Sequence, residues 1–265
     1  MSVLVLAFTG NLYGQFTVSP NAIFLNAPTQ NARLVVANQA DSSYEAWVEF
    51  RLGFPAMDDS GKVRMVYDSS TASPRSAVSW LRAYPQRFFL EVGGSQTVTI
   101  ISNPPGTLGD GEYWARVIVA TKLTSRIQVL TDRVRTNVST FSGVDIPFHY
   151  RTGHAFTGLA VGNVEGTVDG TFLRVVSDFA LQGNSAYWGK VTMRLLDNNG
   201  QSVSTKEQKI AVYQNLRFVS FLDVTNVPRG QYTLELDFSN KRTDVVPKAI
   251  LQVPEFSKSA PVLIE

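Results

Sequence analysis

A chain of 265 residues, 44% hydrophobic and 17% charged, has room for one large core or two average ones and is too apolar to be disordered. A formal net charge of +2, with no basic run carrying interleaved aromatics, gives nucleic acid no handle. The absence of cysteine excludes disulfides, thiolate metal sites and cysteine nucleophiles together.

The chain opens on an apolar run, Met1-Ser-Val-Leu-Val-Leu-Ala-Phe8, followed by Thr9-Gly10-Asn11 and Leu12-Tyr-Gly-Gln15. Residues 1–15 read either as a truncated secretory signal, missing its positive start, or as a buried first strand. The clean strand onset at Phe16 favours the signal, and with it an exported protein. No other run approaches the roughly 18 apolar residues of a membrane span, so an integral membrane protein is not expected.

From Phe16 onward, strand and turn signals alternate. Phe16 and Val18, then Ile23-Phe24-Leu25, flank Pro20-Asn21. Ala32, Leu34 and Val36 alternate, as do Tyr44, Ala46, Val48 and Phe50. Met57-Asp-Asp-Ser-Gly61 and Asp68–Pro74 are turn and loop chemistry. Order resumes over 79–90 and again over Gln96–Ile101. Asp110-Gly-Glu-Tyr113 stands before an alternating strand, as a tyrosine corner does in Greek-key sandwiches. Arg229-Gly-Gln-Tyr232, before Leu234, Leu236 and Phe238, repeats the pattern about a domain later.

Between the corners lies Gly143-Val-Asp-Ile-Pro-Phe-His-Tyr-Arg-Thr-Gly153. Val144, Ile146, Phe148 and Tyr150 share one strand face. Pro147 lies on the opposite parity with no N–H to give, which predicts a sheet edge or a bulge. Arg151 ends the run and Thr152-Gly153 turns the chain away. In the second half, strands are expected over 172–179, 191–195, 210–214 and 218–222, with a hairpin turn at Asp197-Asn-Asn-Gly200. The expected organisation is all-β: two tandem Ig-like β-sandwiches over 16–151 and 152–245, set at an angle around a cleft, then a loosely held extended tail over 246–265.

Little here suggests an enzyme. The two histidines, His149 and His154, have no acidic cluster beside them in sequence, and a zinc site would need ligands from elsewhere. No Gly-x-Ser-x-Gly elbow or phosphate-cradling glycine loop appears. Asp58-Asp59 and Asp197-Asn-Asn-Gly200 read as turns rather than calcium loops. No metal or cofactor is expected. A hydrolase on a sandwich scaffold would need a pocket that places a histidine beside a carboxylate.

Several stretches together resemble the PapD-like periplasmic chaperones of bacterial pilus assembly, most closely the archaic (alternative) chaperone–usher branch. They are Phe16–Leu25, Tyr84–Gly93 with Gln96-Thr-Val98, Pro104-Pro105, Leu108–Arg116, Ile146–Gly153, Gln182–Gly189, Asn199-Gly-Gln201 and Ala211-Val-Tyr213 with Arg217. The resemblance implies a chaperone that caps a pilin or fimbrial subunit by edge-strand addition (donor-strand complementation) and passes it to an outer-membrane usher. It implies no nucleotide or metal. The subunit-binding strand would present Val134, Val138, Phe141, Val144 and Ile146, a donor thin in bulky residues. Family members hold the subunit's terminal carboxylate with an Arg on the first strand and a Lys on the last. This chain has Ala22 and Pro147 near those places, so Arg33 or Arg135 would have to serve as the anchor. Arg151 matches the family's arginine at the domain junction. The alternative is a structural tandem-sandwich protein of the cell envelope with no client.

Overall fold

The computed structural model describes residues 16–68, 73–123, 127–131, 134–138 and 141–265, the short ranges 127–131 and 134–138 as backbone alone. The described residues contain strands, turns and two short 3₁₀ segments, and no helix among them is long and apolar enough to cross a membrane.

The first half contributes β1 (Phe16–Ser19), β2 (Ile23–Asn26), β3 (Asn31–Asn38), β4 (Tyr44–Met57), β5 (Val63–Asp68) and β6 (Leu81–Tyr84). It continues with β7 (Arg87–Leu90), β8 (Ser95–Ser102), β9 (Gly111–Leu123), β10 (Ile127–Thr131), β11 (Val134–Val138) and β12 (Phe141–Thr152). One sheet runs β1-β3-β8-β6; the other runs β2-β12-β9-β4-β5, with β7 also on β4. Strands β10 and β11 form a ribbon of their own. Leu34, Val36, Val48, Ile100, Val117, Ile146 and Phe148 fill the space between the two sheets.

The second half contributes β13 (Thr157–Val161), β14 (Glu165–Asp169), β15 (Phe172–Gly183), β16 (Tyr187–Leu196), β17 (Ser202–Val212), β18 (Leu216–Asp223), β19 (Gly230–Ser239) and β20 (Phe256–Ile264). Here β15 carries β13 and β14 on one edge and β18 on the other, facing a β17-β16-β19-β20 sheet. Its separate core centres on Phe179, Phe218 and Phe238, with Phe179 and Phe218 stacked at 4.8 Å. The architecture is therefore two β-sandwiches in tandem, each with its own core.

Both tyrosine corners are present. Tyr113 Oη donates to Gly109 O at 3.1 Å and Tyr232 Oη to Pro228 O at 2.9 Å, each four residues back. Both aspartate turns close on their own side chains. Asp58 Oδ1 accepts the Ser60 and Lys62 N–H groups, and Asp197 Oδ1 those of Asn199 and Gln201. The second turn spans 197–201, one residue beyond the turn expected at Asp197-Asn-Asn-Gly200, because Leu196 pairs with Ser202. At the exit from β12, Gly153 takes φ +56°, and a Cβ there would collide with the Asp110 carboxylate, so glycine is required.

The tail departs from expectation. Residues Phe256–Ile264 are not loosely held; they form β20, paired along β19 from Phe256↔Phe238 to Ile264↔Gly230. Val262 and Ile264 enter the second core. Pro261 does not break the strand, since an edge strand needs no N–H on its outer side.

Candidate functional site

Strand β12 behaves differently at its two ends. On one side it pairs with β9 over its whole length, Phe141↔Lys122 to Thr152↔Gly111. On the other it pairs with β2 only over Phe148–Arg151, in parallel. Arg151 O accepts the Ala27 N–H at 2.9 Å, on the β2 side. Backbone direction alternates along a strand, so the N–H groups of Phe141, Gly143 and Asp145 also point to that side. No strand among the described residues pairs with them there. Pro147 sits at the boundary, with its missing N–H toward the same edge, as its parity predicted. This is an open sheet edge, continuous in sequence with the β10–β11 ribbon.

The side chains on this edge are mixed. Phe141 is 63% exposed, with Lys122 over its ring at 5.7 Å and Trp47 edge-on at 6.5 Å. Val144 is half-buried against the first core. Ile146, expected to face a partner, is 1% exposed and belongs to that core, because it shares parity with Phe148 and Tyr150. Asp145 faces outward, bound by Arg116 Nε at 2.6 Å and by the Tyr67 hydroxyl at 2.6 Å. Val134, Arg135 and Val138 lie on β11; their side chains are outside the described residues.

At its other end β12 is buried on both faces, from Ile146 to Arg151. The parity opposite the core, which carries His149 and Arg151, meets the second sandwich. Glu112 stands directly across the ladder from Arg151 and is wholly buried. Its Oε1 lies 2.8 Å from His149 Nδ1 and accepts the Ala186 N–H at 3.2 Å, while Oε2 accepts Arg151 Nε at 2.7 Å. Burial alone would raise the Glu112 pKa, but His149 and Arg151 outweigh it and hold the carboxyl at about 2. His149 Nε2 meets the Tyr213 hydroxyl at 3.0 Å, and Arg151 Nη1 donates to Ala249 O at 2.7 Å. Burial pushes the Tyr213 hydroxyl up, so it stays protonated. Phe24 stacks on His149 at 4.6 Å and Trp188 meets it edge-on at 5.2 Å.

A histidine therefore does sit beside a carboxylate, which the sequence reading missed. Both groups are 0% exposed, and both ring nitrogens are engaged. The pair ties the sandwiches together and leaves no free nitrogen to act as a base. Glu112 was findable: it falls on the same strand face as Trp114 and Arg116, opposite the core parity that Tyr113 marks.

Arg33 is exposed on β3 and shares a cavity of about 500 Å³ with Arg151 and Lys248. Asp244 is the acidic member of the same lining. This cleft lies between β2–β3 and residues 244–249, which include the 3₁₀ turn Pro247–Ala249, and Lys248 is a cation the sequence reading did not single out.

No family model and no curated protein matches the chain. Solved structures of pilus chaperones do. A structure of the CsuC–CsuE chaperone–tip adhesion subunit complex of archaic Csu pili from Acinetobacter baumannii matches at 11% identity, covering 92% of this chain and 97% of that one, with a TM-score of 0.45. The Salmonella enterica SafB chaperone with SafA pilin matches at 12% identity, covering 95% and 99%, with a TM-score of 0.44. The Pseudomonas aeruginosa CupB2 chaperone matches at 9% identity, covering 92% and 98%, with a TM-score of 0.41. At these scores they are proteins the chain is similar to, and its own partners do not follow from them.

Proposed function

We propose that this chain is a periplasmic chaperone that caps a pilus subunit lacking a strand, offering the open edge of β12 to it. One observation carries the reading: the backbone of residues 141–147 has a pairing side that no described strand occupies. An open edge is a template for another chain; main-chain hydrogen bonds supply affinity, and alternate side chains supply fit. Phe141 and Val144 are the described side chains that would meet the partner, with Val134 and Val138 extending the donor upstream. Arg33 would anchor the subunit's terminal carboxylate in the cleft, with Lys248 adding charge, and Arg135 remains the upstream candidate. Arg151 would hold the junction between units 16–151 and 152–245. The complex would then pass to an outer-membrane usher. The role is non-catalytic, since the buried histidine pair serves the junction.

The test is co-expression with a fimbrial subunit that aggregates alone. The chain should keep it soluble, and Gly143→Pro should abolish this. That substitution removes one outward N–H and leaves the β9 ladder intact, and a Cβ at Gly143 meets only Val119 O, at 3.8 Å. Capping undiminished in a folded Gly143→Pro variant would sink the edge reading and favour a scaffold with no client.

A further inference from the structure

A second cavity, of about 250 Å³, lies where the β4–β5 hairpin meets β17 and β18. The hairpin reaches the second sandwich directly, with the Val219 N–H donating to Met57 Sδ at 3.0 Å. Met57, Met65 and Pro147 line the cavity from the first sandwich, and Ala211 and Leu216 from the second. Thioether side chains adapt to irregular apolar shapes. A dry cavity of roughly 150 Å³ already accepts a benzene ring, so this one takes a ring or a short alkyl chain.

Its polar lining has one sign. Arg116, Lys209 and Arg242 contribute three cations, and among the described residues no carboxylate lines the cavity. The Arg116 and Arg242 side chains are 10% and 9% exposed, so they sit deep, while Lys209 at 54% stands at the mouth. Their acidic partners are Asp145 for Arg116, and Asp244 shared by Arg242 and Lys209, two carboxylates for three cations. Arg242 is fully spent on Asp244, the Ile210 carbonyl and the Trp188 face. Lys209 holds Asp244 only at 3.2 Å. Excess positive charge around an apolar cavity favours an anionic head on an apolar body and rejects a cationic one.

We propose that this cavity binds a small amphiphilic carboxylate, its apolar body between the two sandwiches and its head at Lys209. Because both sandwiches supply walls, binding would also stabilise their junction, by mass action on the folded state.

The test is calorimetric titration of the full chain with octanoate, with octylamine as the control. Saturable octanoate binding without octylamine binding is expected. Lys209→Gln should weaken it by roughly three- to fivefold, the scale of an exposed ion pair. Ala211→Trp, which fills the cavity, should cost roughly tenfold or more. Gly143→Pro should leave octanoate binding unchanged, which separates this site from the strand-edge reading. Failure of octanoate to saturate, equal binding of octylamine, or undiminished binding in Ala211→Trp would each overturn the proposal. If Ala211→Trp does not fold, Met65→Trp on the edge strand β5 is judged by the same criteria.

Discussion

Glu112 and His149 stand diagonally across the β9–β12 ladder, 2.8 Å apart and both wholly buried, and the far ring nitrogen of His149 meets Tyr213 of the other sandwich. Glu112 also accepts from Arg151 and from the Ala186 N–H. One carboxylate thus gathers two side chains of its own sandwich and a backbone group of the next. Orientation across the junction, and with it the shape of the Arg33 cleft, is set by a polar network rather than by one shared hydrophobic core.

Glu112→Gln keeps the size of the side chain and removes its charge, leaving Arg151 buried without its anion. Breaking a buried pair from one side costs about 3–5 kcal/mol. Urea unfolding should show a loss on that scale; a loss below about 1 kcal/mol would mean that the junction does not depend on the pair.

The same group sets an acid limit. Burial opposes its ionisation, but His149 and Arg151 hold its pKa at about 2, against an ordinary 4.5. A carboxyl with a depressed folded pKa contributes stability fully above its unfolded pKa and loses it as pH falls toward the folded one. Stability should therefore drop between about pH 4.5 and pH 2. In Glu112→Gln the fall over that window should be shallower, read from urea midpoints at stepped pH.

The tyrosine corners offer a paired comparison. Tyr113 is 7% exposed, whereas Tyr232 is half-buried with its hydroxyl bond open to solvent. Tyr113→Phe leaves the Gly109 carbonyl short of a donor and should cost about 1 kcal/mol. Tyr232→Phe should cost less, because water replaces the lost donor. Thermal melts of the two variants check the order, and equal losses would contradict the burial argument.

Period-two patterning made much of this fold legible. It placed Ile146, Phe148 and Tyr150 on one face and put Pro147 at a sheet edge, and the Asp-Gly-x-Tyr spacing marked the first corner. What local pattern does not encode is the neighbour on the opposite face. His149 reads as an outward residue until a second sandwich covers it, and its partner Glu112 lies 37 positions away, where only strand register brings them together. Ile146 is the opposite case: the alternation put it on the face of Phe148 and Tyr150, and only the family resemblance set it at a partner's surface, where its burial rules it out. A strand that is a free edge at one end and covered on both faces at the other shows a single alternation throughout.

The C-terminal strand carries the last prediction. The segment is polar from Lys241 and only sparsely apolar after it, at Val253-Pro-Glu-Phe256 and Pro261-Val-Leu-Ile264, so in sequence it reads as a loose extension. In the structure Val262 and Ile264 are 6% and 5% exposed, and Phe256 stacks on Phe238 at 4.8 Å. Burying side chains of this size stabilises by about 1.5–3 kcal/mol each. Removing residues 256–265 should therefore cost about 3–6 kcal/mol for Val262 and Ile264 alone, a large share of the roughly 5–15 kcal/mol a domain has. It would also leave β19 as an exposed edge beside an opened core. Hydrogen exchange should show β16 and β19 losing protection while β3 and β8 of the first sandwich keep theirs. Unchanged protection of β19 in the shortened chain would show that the tail is dispensable after all.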